Sequence, residues 1–179
     1  MSVGNNRFSN PIIKDEIEVL NESKEKLIFK TFLKPNGGQS RLHYHTKITE
    51  KFKIIEGELH VILNNDKRIL KPNNEVLIKE FDTHQFYNKS DKNVVFEVEI
   101  TPARHIKKAL QIIYGLAKDG KVYKSGMPKN IFYMAIGLNM MDAYIPEAPR
   151  IIQKLGISIL AAIGRIIGLE KKLMLQYCN

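Results

Sequence analysis

Between Gly37 and Gly57 the chain reads GGQSRLHYHTKITEKFKIIEG, and its alternation of residue types calls for extended structure. Successive side chains of a strand point to opposite faces, so Arg41, His43 and His45 share one side while Leu42 and Tyr44 take the other. In the run that follows, Glu50, Phe52 and Ile54 share a face and Lys51 and Lys53 share its opposite. Two imidazoles and a carboxylate are thereby offered to one interior. After a bend at Gly57, Leu59, Val61 and Leu63 resume the inward set, which turns His60 away. A third imidazole, His84, arrives in FDTHQFYN, where Phe86 follows it inward and Gln85 and Tyr87 face out.

Three nitrogens and one carboxylate oxygen suit a borderline divalent metal, drawn from Fe, Mn, Ni, Co, Cu or Zn, with open positions left for water or a ligand. Arg41, Phe52 and Phe86 are candidates for the surrounding pocket, Arg41 to meet a carboxylate or phosphate and the two rings as walls. His105 reads as an ordinary residue at a helix start.

The rest of residues 15–102 is also strand-like. EIEVL, KLIFKTFLKP, KRIL, residues 75–79 and VVFEVEI are short extended runs divided by turn residues such as Asn64-Asn65-Asp66. Many short antiparallel strands with few helix signals predict a mainly β sandwich or barrel. Residues 1–14 read as a polar arm pinned by Phe8 and the Pro11-Ile12-Ile13 group. The period changes after Pro102, and helices are expected over 103–118, 130–145 and 150–169. The last carries Ile151, Leu155, Ile159, Ile163 and Ile167 at intervals of four. Gln153, Lys154 and Arg165 interrupt it, so it lacks the purity of a membrane-crossing helix.

The spacing Gly37-x5-His43-x-His45-x4-Glu50-x6-Gly57 resembles the first motif of the cupin superfamily, with every signature residue and gap present. The segment His84-x3-Asn88 is similar to the end of the second motif. Where that motif has a Gly near its start, and a Pro and a Gly before its His, this chain has Asn73, Lys79 and Phe81. The resemblance covers residues 15–102 and implies a single antiparallel β-barrel of the double-stranded β-helix or jelly-roll type, followed by an α-helical extension over 103–179. It implies His43, His45, Glu50 and His84 as metal ligands and structural roles for Gly37, Gly57 and Asn88. It also implies a homodimer and a small organic ligand. Metal-dependent oxygenases and isomerases and noncatalytic binding scaffolds all occur among such proteins, and no additional acid–base pair in this sequence selects one.

Charge separates the two parts. Of the net +9, residues 1–102 carry only +1 and residues 103–179 carry +8. A basic region rich in aliphatic residues fits a helical cap over the barrel or a dimer interface, and it also raises an anionic membrane surface as a partner for residues 103–179. Nucleic acid is not indicated, since the chain has no Trp, no zinc-finger spacing and no Arg-rich element. The polar N-terminus shows no signal-peptide pattern and Cys178 is the single cysteine, so a cytoplasmic protein is the expectation, with peripheral attachment to a membrane through the tail as an alternative.

Overall fold

The computed structural model describes residues 6–178. Its β part comprises β1 (Arg7–Asn10), β2 (Asp15–Glu22), β3 (Leu27–Leu33), β4 (Tyr44–His45), β5 (Thr49–Glu56), β6 (Leu59–Leu63), β7 (Asp66–Leu70), β8 (Glu75–Ile78), β9 (His84–Tyr87) and β10 (Val94–Thr101). Among the described residues four helices follow: α1 (Ile106–Lys118), α2 (Ile131–Met141), α3 (Arg150–Ile166) and α4 (Leu169–Tyr177). A two-residue strand, β11 (Ala143–Tyr144), lies between α2 and α3.

Every strand pairing is antiparallel. One sheet has the order β1-β2-β3-β10-β5-β8, a second has β7-β6-β9, and β11 pairs with β4. The inner faces of the two larger sheets pack together: Phe52 and Phe96 from the first and Phe86 from the second meet at ring-centroid distances of 5.2 to 5.8 Å. This is the expected jelly-roll arrangement, although continuous strand pairing does not close it into a barrel. Burial alternates along β3, β6, β9 and β10, as period-two patterning demands.

The predicted arm is in part a strand. Residues 1–5 of it lie outside the described residues, but Arg7–Asn10 pairs with β2, and Phe8 packs edge-on against Tyr114 of α1. The helical region departs from expectation at three ends. Arg104 takes a positive φ of 48°, and α1 begins only at Ile106. The second helix stops at Met141 rather than running to 145, because Asp142 adopts a left-handed cap and the next two residues join β4. The third stops at Ile166, since Gly168 turns with φ 78°, and the unpredicted α4 follows at 79° to α3.

Two cores result. The β core takes in Ile106 and Tyr114 from α1, whereas Ala109, Ile112 and Leu116 of the same helix belong to a second core with α2, α3 and α4. Helix α1 is therefore the shared wall between the jelly roll and the helical extension.

Candidate metal centre

Strand geometry brings the three imidazoles together. The backbones of His43 and His84 exchange hydrogen bonds in both directions, at 3.0 and 2.8 Å, which sets their side chains on one face of a shared ladder. Ring centroids lie 4.2 Å apart for His43 and His84, 5.0 Å for His43 and His45, and 5.4 Å for His45 and His84. One ring nitrogen from each falls within 4.8 Å of the other two. Glu50 on β5 reaches the same place: its Oε2 is 3.2 Å from His84 Nε2 and its Oε1 is 3.6 Å from His45 Nε2. Neither approach completes a hydrogen bond, so both Nε2 atoms are buried without a partner.

The other ring nitrogens decide the tautomers. His45 Nδ1 lies 3.0 Å from the Met141 carbonyl and 3.3 Å from that of Asp142, and His84 Nδ1 lies 3.1 Å from the Asp82 carbonyl. Carbonyls only accept, so Nδ1 carries the proton and donates in both cases. Each Nε2 then presents a lone pair to the cluster, the arrangement a metal-ligating histidine takes from its outer hydrogen bond.

Electrostatics agree with this reading for three of the four groups. Burial pushes His43 well below the usual imidazole range, and His84 and His45 nearby add to the shift. Burial likewise lowers His45, against the pull of Glu50. Glu50 is pushed up by burial, but His84 and the other imidazoles outweigh that and bring it down to about 2, so it stays ionised. His84 is the exception: burial lowers it, yet the Glu50 carboxylate beside it leaves the net shift upward. Two neutral imidazoles, a carboxylate and His84, whose Nε2 would give up the proton that Glu50 favours, fit a divalent cation.

The remaining sequence-predicted residues fall as follows. Arg41 is exposed rather than inward, while its carbonyl faces the ring of the partly exposed His43. Phe52 and Phe86 are buried with Phe96 in the three-ring cluster between the sheets. His60 faces away from the cluster, as parity requires, and stacks on Tyr87 at 5.3 Å. Asn88 is a structural hub: its amide donates to the carbonyls of Leu33 and Lys92, and its oxygen accepts from Ser90. Gly57 has φ 78°, and a Cβ there would stand 2.6 Å from the Asn93 carbonyl oxygen. At Gly37 a Cβ would meet the Ile13 carbonyl oxygen at 2.7 Å.

The departures at Asn73 and Phe81 acquire a clear meaning. Both residues take left-handed backbone, with φ of 71° and 68°, so they keep the turn geometry that glycine would supply. Phe81 is held there by its N–H, which donates to the His45 carbonyl at 2.7 Å, and by its ring, stacked on Tyr44.

Asp142 is the residue that sequence reasoning missed. Its carboxylate accepts from the Thr46 backbone N–H at 2.7 Å and from the Thr46 hydroxyl, and its carbonyl helps to orient His45. The signal was an acidic residue in the apolar run NIFYMAIGLNMMDAYI, where a buried charge needs partners. Clefts of about 480 and 280 Å³ lie elsewhere: the first is lined by α3 and α4 residues including Arg165 and Leu175, the second by Phe8 together with α1 and α4 residues including Tyr114 and Tyr177.

Comparison with known proteins bears on the β part. The cupin domain model matches residues 30–101. This segment is a cupin domain. The match includes all four cupin-type ligand candidates, from His43 to His84. Among solved structures, a sugar phosphate isomerase of the cupin superfamily from Silicibacter pomeroyi is 21% identical, with 52% of this chain and 62% of that one covered and a TM-score of 0.48. KdgF from Halomonas sp. is 13% identical, with 54% and 86% covered and a TM-score of 0.49. An RmlC-like cupin from Shewanella frigidimarina is 16% identical, with 51% and 78% covered and a TM-score of 0.46. The chain thus spans less than two thirds of the Silicibacter protein. No curated protein matches the chain.

Proposed function

We propose that the chain is a divalent-metal-binding protein that takes a small organic molecule at the ion, as a metal-dependent oxygenase or isomerase does. The observation that carries this reading is the pair of buried, partnerless Nε2 atoms of His45 and His84 converging on the ionised Glu50. His43, His45, Glu50 and His84 would hold the ion, which would supply Lewis-acid or redox assistance to a bound ligand. The carbonyls of Met141 and Asp142 keep His45 in the ligating tautomer, and the Asp82 carbonyl does the same for His84. His43 is the partly exposed member, so a ligand approaches from its side. Arg41, exposed two residues before His43, would offer a guanidinium to an anionic group there.

Elemental analysis of the purified chain and its His45→Ala variant tests the proposal. Bound metal should fall at least about tenfold on loss of the imidazole, a larger effect than disturbing an outer hydrogen bond. Unchanged stoichiometry in a folded variant would overturn the ligand assignment.

A further inference from the structure

Helix α3 is amphipathic, yet its aliphatic side is the one turned away from the protein. Ile151, Ile152, Leu155, Ile159, Ile163 and Ile166 are 39% to 84% exposed. At roughly 100° per residue they cover an arc of roughly 120°. The side turned inward carries Gln153, Ala161 and Gly164, with Ile157 and Leu160 partly buried beside them.

The rotation of the helix is locked. Gln153 accepts from the Ile145 N–H at 3.0 Å and donates to the carbonyls of Ile145 and Ala148 at 2.9 and 2.7 Å. A Cβ at Gly164 would stand 2.9 Å from Ile136 Cδ1, so Gly164 packs directly on a side chain of α2. Turning the isoleucines inward would break these bonds and that contact. The apolar side therefore needs a partner outside this chain's own fold.

Charge identifies the partner. Helix α3 contains Arg150, Lys154 and Arg165 and no acidic residue; Arg165 is paired with Glu170 of α4, and exposed Lys171 and Lys172 follow it. A second copy of α3 would offer only like charges to these. An anionic surface with an apolar interior satisfies both the aliphatic face and its basic border. The stripe is also joined to the jelly-roll rim, since the Arg150 guanidinium lies 5.5 Å over the ring of Phe81, itself 51% exposed. Among the described residues no single helix is long and apolar enough to cross a membrane; α3 and α4 reach that length and apolarity only as a pair, bent by 79° at the break between them. We propose that α3 docks this protein in the plane of an anionic lipid bilayer, with Ile151, Leu155 and Ile159 among the acyl chains, Arg150 and Lys154 at the headgroups, and Phe81 bringing the metal-site rim to the surface.

Sedimentation of the full chain with vesicles tests this. Vesicles of phosphatidylcholine mixed with phosphatidylglycerol should carry the protein down. Pure phosphatidylcholine, or high salt, should weaken binding by about tenfold or more, since each basic residue near an anionic leaflet contributes on the order of fivefold. The variant Leu155→Asp/Ile159→Asp, altered only at exposed positions, should keep its thermal transition and lose vesicle binding by at least about tenfold. Failure of the full chain to bind, or equal binding by the folded double variant, would overturn the proposal. So would a dimer in light scattering that the double variant converts to monomer while vesicles go unbound, because a second copy would then cover the face.

Discussion

Strand β10 and helix α3 carry the same kind of side chain at regular intervals and dispose of it in opposite ways. Val94, Phe96, Val98 and Ile100 of β10 are 0% to 3% exposed, because a second sheet lies over their face. Five isoleucines and Leu155 of α3 point outward, while Leu160, Ala161 and Gly164 pack into the helical core. Periodicity specifies that an element has an apolar face. What covers that face is a property of the neighbours, and in α3 the Gly164 contact with Ile136 and the Gln153 hydrogen bonds have taken the inward side.

The sharpest way to break the comparison is to delete one side chain from each region. Phe96→Ala removes a ring buried between Phe52 and Phe86 and should cost about 3–5 kcal/mol, through lost transfer energy and the cavity left behind. Ile159→Ala, at a position 57% exposed, should change stability by no more than about 0.5 kcal/mol. Urea unfolding of both variants at low protein concentration is the measurement. A comparable loss at Ile159 would mean that the α3 face is covered in solution, and the contrast between the regions would fail.

The next test acts on the seam between them. Tyr114 of α1 donates its hydroxyl to Asp15 Oδ2 on β2 at 2.5 Å, while Asp15 Oδ1 has no partner. Burial pushes the Asp15 carboxyl up to about 7, against the lowering effect of the Tyr114 hydroxyl. A carboxyl whose folded pKa exceeds its unfolded value of 3.8 binds its proton more tightly when folded. Its contribution to stability is therefore complete below about pH 4 and is lost as pH rises through about 7. At about 1.4 kcal/mol per unit, the loss amounts to a few kcal/mol at most. His43 and His45, both shifted down, oppose it, because neutral imidazoles favour the folded state more as pH rises. The difference between the wild type and Asp15→Asn isolates the carboxyl: unfolding free energy at pH 5 minus that at pH 8 should be smaller in the variant. An unchanged difference would show that Asp15 titrates normally and that the seam holds no buried carboxyl of this kind.

The contrast also explains which features were legible beforehand. His43, His45 and Glu50 could be placed on one interior because strand parity is a local rule, and the same rule turned His60 outward. The motif spacing carried the jelly roll for a related reason, since its turns demand specific backbone geometry, kept at Gly57 and reproduced at Asn73 and Phe81 by non-glycine residues. Asp142 was not legible, because its partners Thr46 and His45 lie almost a hundred positions earlier, and nothing local announces that the chain returns there. Arg41 shared the parity of His43 and still lies exposed: it precedes β4, and alternation constrains only residues within a paired strand. The break at Gly168 was obscured because aliphatic residues continue through it.

The smallest effect belongs to Phe81, where the two regions meet at the rim. Its left-handed backbone is unfavourable for an L residue by roughly 1–2 kcal/mol. Its ring returns part of that through Tyr44, at a centroid distance of 6.5 Å, and through Arg150. Alanine removes the ring and keeps the strain, whereas glycine removes both. Phe81→Gly should accordingly be more stable than Phe81→Ala by about 1 kcal/mol, the reverse of their order in an ordinary strand. Chemical denaturation of the two variants measures the difference directly. Equal stabilities would show that the rim does not hold residue 81 in the left-handed region, and the turn presenting His84 would then owe nothing to the geometry that glycine supplies in other cupin domains. The predicted order would instead make Phe81 a residue retained against its backbone preference, which is reasonable if its exposed ring works on the same surface as the isoleucines of α3.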